Sequence, residues 1–242
     1  MGLLNEIGLR LDADKSSRFH NYLDFYQEQL PDQSFTGRLL EIGIMDGYSM
    51  QMWREYYPDA EDIIGLDIMP KQHLDIPNVT LLQLNATDIE AVRGLGNFDI
   101  IIDDGSHMSL EQQQAFFWLY YNQLNIDGYY IIEDLWTTYV SSYVNSKYNT
   151  LQVLESLERA GVEMTYFTHA HDGIAKVFPT YDLRGVDSET VIVPVEDEVA
   201  VGEPVGGDDR DTQGGHLQRP QRSLRPVERN IRRRGDGNIE IN

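Results

Sequence analysis

The sequence predicts an α/β fold, a doubly wound and mostly parallel seven-stranded β-sheet. Two apolar runs, residues 98–103 and 129–132, each end abruptly in acidic residues. Both are too short for helices and too continuously apolar for half-exposed strands, which indicates parallel strands covered on both faces. A third run, residues 38–44, leads through a glycine-containing turn into a helix, as in a β-α-β unit.

The first β-α-β unit spans residues 38–68. Gly43 and Gly47 allow the backbone of its turn to approach a ligand closely. Asp67 ends the second strand, at a position that suits a pair of ribose hydroxyls. The dinucleotide fingerprint G-x-G-x-x-G is absent, which argues against a pyrophosphate bound at the helix N-terminus.

The middle of the chain continues the alternation of strands and helices. Residues 78–84 are predicted to form the third strand, with residues 85–88 at its end placed to border an adenine, followed by a helix over 88–95. A longer helix is predicted over 109–122, and residues 125–128 form the turn into the next strand. Four side chains of that longer helix are expected in the core: Phe116, Phe117, Leu119 and Tyr120. The aromatic loop 136–139 is predicted either to line a substrate pocket or to anchor the chain.

Acidic residues follow two of the predicted strands at their carboxyl ends. Asp103 and Asp104 close one strand, Glu133 and Asp134 close the other, and His107 follows the first pair. Carboxyl ends of parallel strands share one edge of a sheet, so these side chains should converge. Such carboxylates repel one another unless a cation, a proton or a donor-rich ligand compensates them, which predicts a divalent metal site.

Each of these groups also has an interpretation without chemistry. The carboxylates could be solvated strand ends or helix caps. His107 could donate a structural hydrogen bond to a strand-end carboxylate rather than act as a base.

Residues 1–30 are predicted to form a helical lid segment in front of the main domain. The helix is predicted over residues 18–30, with an apolar face. That face comprises Phe19, Tyr22, Leu23, Tyr26 and Leu30. His20 and Asn21 lie off this face, and they are either solvated or part of a lid over a bound cofactor.

The main domain is predicted to span residues 31–194. A helix over 148–160 precedes strands over 162–167 and 174–178, the last of which runs antiparallel, with His169 and His171 exposed between them. Residues 195–242 have little apolar periodicity and are predicted to form a flexible tail. Its seven arginines between residues 219 and 234 are either solvated or bind an anion or the acidic body of the protein.

Composition narrows the classes of function. The 242 residues include no cysteine, which excludes disulfides and thiolate metal sites. A net charge of −21 disfavours binding to nucleic acid and to anionic membranes. We predict a cytoplasmic protein, since no apolar run is long enough to span a bilayer and no leader is evident. The acidic, lysine-poor composition is typical of a high-salt cytoplasm, the alternative being an acidic mesophilic enzyme.

Several motifs resemble class I S-adenosylmethionine-dependent methyltransferases. More narrowly, they resemble the metal-dependent macrolide sugar O-methyltransferases of the MycE type, over about residues 10–140. The motifs are residues 40–44 with Gly47 and Ser49, and residues 52–58, 64–67, 98–107 and 131–135. Asp14, Lys15 and residues 20–22 also resemble the first segment of that family.

The resemblance implies a Rossmann-like methyltransferase fold, two cofactors and a role for each matching position. S-adenosylmethionine would be bound by Glu41, Gly43, Gly47, Ser49, Asp67, Asp88, Asp103 and His20. Mg²⁺ would be bound by Asp104, Glu133 and Asp134, and His107 would be the general base.

The leading hypothesis is an O-methyltransferase that acts on a hydroxyl of a sugar or another vicinal-diol small molecule. A homo-oligomer is also possible. One alternative is an NAD-type oxidoreductase on the same framework, and another is a non-catalytic interaction protein that kept the fold. The sequence does not encode the identity of the acceptor.

Overall fold

A computed structural model describes residues 1–159, 162, 165–168, 188–194, 231–233 and 239–241. The chain divides into two compact units, Met1–Asp197 and Glu198–Asn242. The first unit carries the α/β domain.

Within the described residues, the first unit has six α-helices and seven strands. The helices are α1 (Leu3–Leu11), α2 (Leu23–Gln29), α3 (Tyr48–Tyr56), α4 (Ile89–Arg93), α5 (Ser109–Asn122) and α6 (Thr150–Arg159). The strands are β1 (Arg38–Ile42), β2 (Asp62–Asp67), β3 (Thr80–Gln83), β4 (Phe98–Asp103), β5 (Leu124–Glu133), β6 (Thr165–Thr168) and β7 (Ser188–Pro194).

The strands form one sheet in the order β3-β2-β1-β4-β5-β7-β6. Strands β1 to β5 pair in parallel, and β7 is antiparallel to both β5 and β6. The predicted doubly wound, mostly parallel seven-stranded sheet is therefore confirmed.

Hydrophobic layers cover both faces of this sheet. Successive residues of a strand point to opposite faces, so Leu39 packs in one layer with α1, α2 and α3, and Leu40 packs in the other with α5 and α6. Ile100 and Ile101 of β4 divide in the same way. Two buried faces explain why these strands are continuously apolar in the sequence.

The loops after β1 and β4 lie in close contact at the carboxyl edge of the sheet. The backbone N–H of Asp104 donates to the carbonyl of Ile42 over 2.9 Å. Gly43 follows with φ +89°, and a Cβ built there would lie 2.0 Å from the carbonyl oxygen of Asp104. Only glycine fits this position, because both its backbone conformation and the adjacent loop exclude a side chain.

The N-terminal segment departs from the prediction in three ways. Helix α1 was not predicted, and α2 begins only at Leu23, because Asn21 adopts a left-handed conformation with φ 59° that interrupts a helix. Tyr22, Leu23, Tyr26 and Leu30 are buried as expected. Phe19 is 51% exposed instead of lying on the buried face.

Strand β5 begins at Leu124, so the turn predicted over residues 125–128 lies inside a strand that shifts its register against β4. On α5, Phe116 and Leu119 are buried, whereas Phe117 is 42% exposed, contrary to the prediction.

The C-terminal elements are described only in part. The antiparallel strand β7 is Ser188–Pro194, and the strand predicted over 174–178 lies outside the described residues, as do His169 and His171. In the second unit, β8 (Ile231–Arg233) and β9 (Ile239–Ile241) pair antiparallel. The predicted boundaries of the lid segment, the domain and the tail stay predictions.

Gly43→Ala is expected to lower the free energy of unfolding by about 2 kcal/mol or more, because the new Cβ meets the backbone of the Asp104 loop at a positive φ. Gly94→Ala is the matched control, since Gly94 has φ −72° and nothing lies within 4 Å of its Cβ position. The control should be neutral or stabilising by about 0.5 kcal/mol. Urea unfolding measures both, and equal losses would contradict this account of the β1 turn.

Candidate active site

Two cavities open side by side at the carboxyl ends of the parallel strands. The first has a volume of about 610 Å³ and the second about 460 Å³. Gly43, Asp67 and Gly105 line both cavities, so the two form one bilobed cleft. A cleft at this edge is the usual ligand site of an open α/β sheet.

The predicted acidic rim lies along the first cavity. Asp104, His107, Glu133 and Asp134 all line it. His107 Nε2 lies 3.5 Å from Asp134 Oδ2 and 3.9 Å from Asp104 Oδ1. Ligand atoms of these three residues lie within 4.8 Å of one another. The carboxylates of Asp104 and Asp134 at this separation fit a divalent cation such as Mg²⁺, which prefers carboxylate oxygens, with His107 beside them.

Glu133 lies on the buried side of the same rim. Its Oε1 accepts from the Tyr26 hydroxyl over 2.7 Å, and its Oε2 accepts from Lys15 Nζ over 2.8 Å. Both of its oxygens are therefore engaged within the protein. Of the three Mg²⁺ ligands that the resemblance implies, Asp104 and Asp134 face the open side with His107, and Glu133 does not.

Lys15 is the residue of the site that sequence reasoning missed. Its side chain is 1% exposed, and its Nζ donates to Asp104 Oδ2 and Glu133 Oε2 and lies 3.5 Å from Glu41 Oε1. Burial alone would lower the pKa of Lys15, but attraction to these three carboxylates outweighs burial and holds that pKa well above its ordinary value. The only signal in the sequence was that Asp14 and Lys15 resemble the first segment of the methyltransferase family.

Burial dominates the ionisation of the carboxyls around Lys15. It raises the pKa of Glu41 to about 7, although Lys15 opposes the shift. It also raises the pKa of Glu133, where repulsion from Asp104 adds to the shift, and the pKa of Asp104, where repulsion from Asp134 adds to it; Lys15 opposes both shifts. Negative charge is costly in this cluster, so a cation that enters it is bound favourably.

Side chains of the N-terminal segment cover the open side of the rim. The Tyr22 hydroxyl donates to Asp134 Oδ1 over 2.7 Å, and His20 Nδ1 lies 3.9 Å from the same oxygen. The His20 and Tyr22 rings stack with their centroids 5.2 Å apart. His20 lines the first cavity, which favours the lid interpretation over a solvated side chain.

Asp67 lies where the two cavities join. Its Oδ1 accepts from the Met69 N–H over 2.8 Å, its Oδ2 accepts from the Ile44 N–H over 3.2 Å, and Lys71 Nζ lies 3.5 Å from Oδ2. These contacts fix the carboxylate at the cleft. Gly47 and Ser49 line the first cavity.

Residues 84–87 line the second cavity, so residues 85–87 of the segment predicted to border an adenine lie at a cavity. Asp103 also lines it and is 3% exposed. Burial raises the pKa of Asp103 to about 7, and its Oδ1 accepts from the Gly105 N–H over 3.3 Å.

Two predicted cofactor contacts lie elsewhere in the described structure. Asp88 is exposed, caps α4 by accepting from the Ala91 N–H over 3.2 Å, and lines neither cavity. Glu41 is fully buried beneath the rim, next to Lys15. The aromatic loop forms a 3₁₀ turn, Leu135–Tyr139, that also lines neither cavity, which favours the anchor interpretation.

Strained backbone is concentrated around the first cavity. Asp12, Met45, His107 and Asp134 line it, and each has a positive φ between 44° and 62°. Residues other than glycine adopt this conformation only where the surrounding structure imposes it, at a cost of roughly 1–3 kcal/mol each. The geometry of the rim is thus built into the fold.

Sheet order, antiparallel β7 and the cleft at the carboxyl ends of β1, β2 and β4 define a Rossmann-like methyltransferase fold. Among solved structures, MycE methyltransferase from the mycinamycin biosynthetic pathway, in complex with Mg, SAH and mycinamycin VI, superposes with a TM-score of 0.66 at 26% sequence identity. The match covers 84% of this chain and 57% of that one.

Curated relatives lead to the same group of enzymes, although no family profile matches the chain. The 8-demethyl-8-(2-methoxy-alpha-L-rhamnosyl)-tetracenomycin-C 3'-O-methyltransferase of Streptomyces olivaceus is 37% identical over 156 residues, covering 59% of this chain and 39% of the relative. The mycinamicin VI 2''-O-methyltransferase of Micromonospora griseorubida is 34% identical over 148 residues, covering 56% of this chain and 37% of the relative. The chain thus spans about two fifths of the length of these relatives. The predicted resemblance to the sugar O-methyltransferases is confirmed over that part.

Tyr26→Phe is expected to lower the free energy of unfolding by about 2 kcal/mol, because it leaves an oxygen of the buried Glu133 without its donor. Tyr57→Phe is the matched control, since this equally buried hydroxyl donates to the partly buried Pro31 carbonyl over 3.0 Å, which water can reach after the change. The control should cost about 1 kcal/mol or less. Denaturant titration compares the two, and a larger loss in the control would refute this account of Glu133.

Proposed function

We propose that this chain is an S-adenosylmethionine-dependent, Mg²⁺-assisted O-methyltransferase that acts on a hydroxyl of a sugar or another vicinal-diol small molecule. One observation carries the proposal. Asp104, His107 and Asp134 converge beside the junction of two cavities in a chain similar to sugar O-methyltransferases.

The bilobed cleft supports a division of labour between cofactor and acceptor. The second cavity, between Asp67, residues 84–87 and Asp103, has suitable groups for an adenosine, with the Asp67 carboxylate for the ribose hydroxyls. The first cavity would receive the methionine part of the cofactor beside Gly43 and Gly47 and the acceptor beside His107.

The open side of the rim supports a place for Mg²⁺. Asp104 Oδ1 and the Asp134 carboxylate are hard oxygen ligands next to a cavity, which leaves room for further ligands from an acceptor. When bound, S-adenosylmethionine supplies the methyl group, and Mg²⁺ lowers the pKa of the acceptor hydroxyl.

His107 is the proposed general base. Its Nε2 faces the cavity between Asp104 and Asp134, so it is positioned to take a proton from a hydroxyl at the rim. The two carboxylates would stabilise the imidazolium that forms. His20 and Tyr22, which contact the other oxygen of Asp134, Oδ1, would restrict water at the rim, and the fixed geometry would supply much of the rate by positioning.

The alternative functions have less support. The relatives described above are named methyltransferases, and an oxidoreductase would be expected to bind NAD. The small-molecule acceptor is inferred from the names of those relatives. No helix in the described part of the chain has the length and apolarity to cross a membrane. Cytoplasmic location and homo-oligomerisation remain predictions.

Calorimetric titration with S-adenosylhomocysteine, with Mg²⁺ and again in EDTA, tests the cofactor assignment. We expect micromolar binding and no heat with NAD, because Asp67 and the second cavity suit an adenosine without a pyrophosphate site. Methylated product from a panel of glycosides, detected by mass spectrometry, should disappear in EDTA. Folded protein that binds NAD but not S-adenosylhomocysteine would favour the oxidoreductase.

His107→Asn is expected to reduce kcat by about 10²–10⁴-fold with unchanged affinity for S-adenosylhomocysteine, because the proton acceptor is lost. Asparagine tolerates the positive φ of this position, so the fold should be kept. His73→Asn, at an exposed histidine outside both cavities, is the matched control. Full turnover in His107→Asn would exclude this base.

A further inference from the structure

The ammonium of Lys15 lies inside the acidic rim, in contact with carboxylates from three strands. We propose that Lys15 is a positioning residue, an internal counter-cation that neutralises the buried half of the rim and leaves the open half to a divalent cation. This inference deepens the proposed Mg²⁺ site and rests on it for the open half. Its buried half can be tested without cofactor or substrate.

The rim has two halves that share one carboxylate. The buried half is Glu41 and Glu133, both at most 2% exposed and both facing Lys15 Nζ. The open half is His107 and Asp134, which line the first cavity. Asp104 belongs to both, because its Oδ2 accepts from Lys15 Nζ and its Oδ1 faces His107 Nε2 at 3.9 Å. Lys15 therefore fixes the rotation of the carboxylate that a divalent cation would use.

One ammonium is insufficient for all of these carboxylates. Lys15 compensates at most one negative charge, whereas Glu41, Asp104, Glu133 and Asp134 carry up to four. Glu41 lines neither cavity, and both oxygens of Glu133 are engaged by Tyr26 and Lys15, so the uncompensated charge lies at Asp104 and Asp134. A divalent cation at the open half would then complete the neutralisation.

The environment of Lys15 sets it apart from other cations of the described chain. Lys15 is the only buried lysine or arginine among the described residues. Lys71, by comparison, is partly exposed and lies near a single carboxylate, that of Asp67. The segment that carries Lys15 is also closed on itself, since the Tyr22 N–H donates to the Lys15 carbonyl over 2.9 Å. A compact ammonium with three donors suits three convergent carboxylates.

Thermal unfolding at pH 8, in EDTA and in excess Mg²⁺, tests the proposal with Lys15→Met, which keeps the length of the side chain and removes its charge. In EDTA we expect the Tm to fall by about 10 °C, because buried carboxylates lose their partner. Mg²⁺ should raise the Tm of this variant by more than it raises that of the wild type. Lys71→Met, the matched control, should show the wild-type shift with Mg²⁺.

The double variant Lys15→Met with Glu133→Gln separates charge from packing. If Lys15 acts as a counter-cation, neutralising Glu133 should recover a large part of the lost Tm in EDTA. If Lys15→Met alone does not fold, the counter-cation role predicts that the double variant does fold. The proposal would be overturned if Lys15→Met lowered the Tm equally with and without Mg²⁺ and its effect were additive with that of Glu133→Gln. Lys15 would then stabilise the fold through packing alone. A third outcome is that Mg²⁺ changes the Tm of none of the proteins, while the Tm effects of Lys15→Met and Glu133→Gln are still non-additive in EDTA. The proposed Mg²⁺ site would then be refuted, and the pairing of Lys15 with the buried carboxylates would be supported.

Discussion

The burial of carboxylates around a single ammonium is the constraint on which the rest of this structure depends. Glu41, Asp104 and Glu133 come from the ends of β1, β4 and β5, and parallel pairing brings those ends to one edge. Buried together as carboxylates, they repel one another strongly, and a cation among them offsets this repulsion. Lys15 supplies it from the N-terminal segment, which is thereby fixed to the sheet. The helices before and after this segment, α1 and α2, add their own apolar contacts to the same face.

This constraint also determines how the cleft is closed. Because Lys15 must reach Glu133, the chain runs over the rim between α1 and α2, and the same run carries His20 and Tyr22 above Asp134. Residue 21 takes a left-handed conformation at this point, and so does Asp12 where α1 ends. The segment is therefore a structural part of the site, and its order depends on charges that come from the sheet.

The sequence was sufficient for the central strands β1, β2 and β4 because these strands are buried on both faces. Apolar runs predicted β1 to β5, and the acidic ends of β4 and β5 predicted the rim, since such patterns depend on neighbours in the chain. Lys15 could not be found in this way, because its partners Asp104 and Glu133 lie 89 and 118 residues away. A lysine among turn-forming residues is usually solvated. Asp88 shows a related ambiguity, because an acid at a strand end that precedes a helix can be an N-cap as well as a cofactor contact, and here it caps α4.

Adjacent acids at each strand end serve different environments, and backbone geometry explains how. Glu133 is the last residue of β5 and points to the sheet face that packs against Tyr26 and Lys15. Asp134 follows with φ 56°, and this left-handed turn directs its carboxylate to the cavity instead of continuing the strand. At β4, Asp103 lines the second cavity and Asp104 the first. Glu133 and Asp134 thus lie in the buried and open halves of the rim, and Asp103 and Asp104 lie in the two lobes of the cleft. Side-chain alternation and one left-handed turn therefore allow two strand ends to form the site.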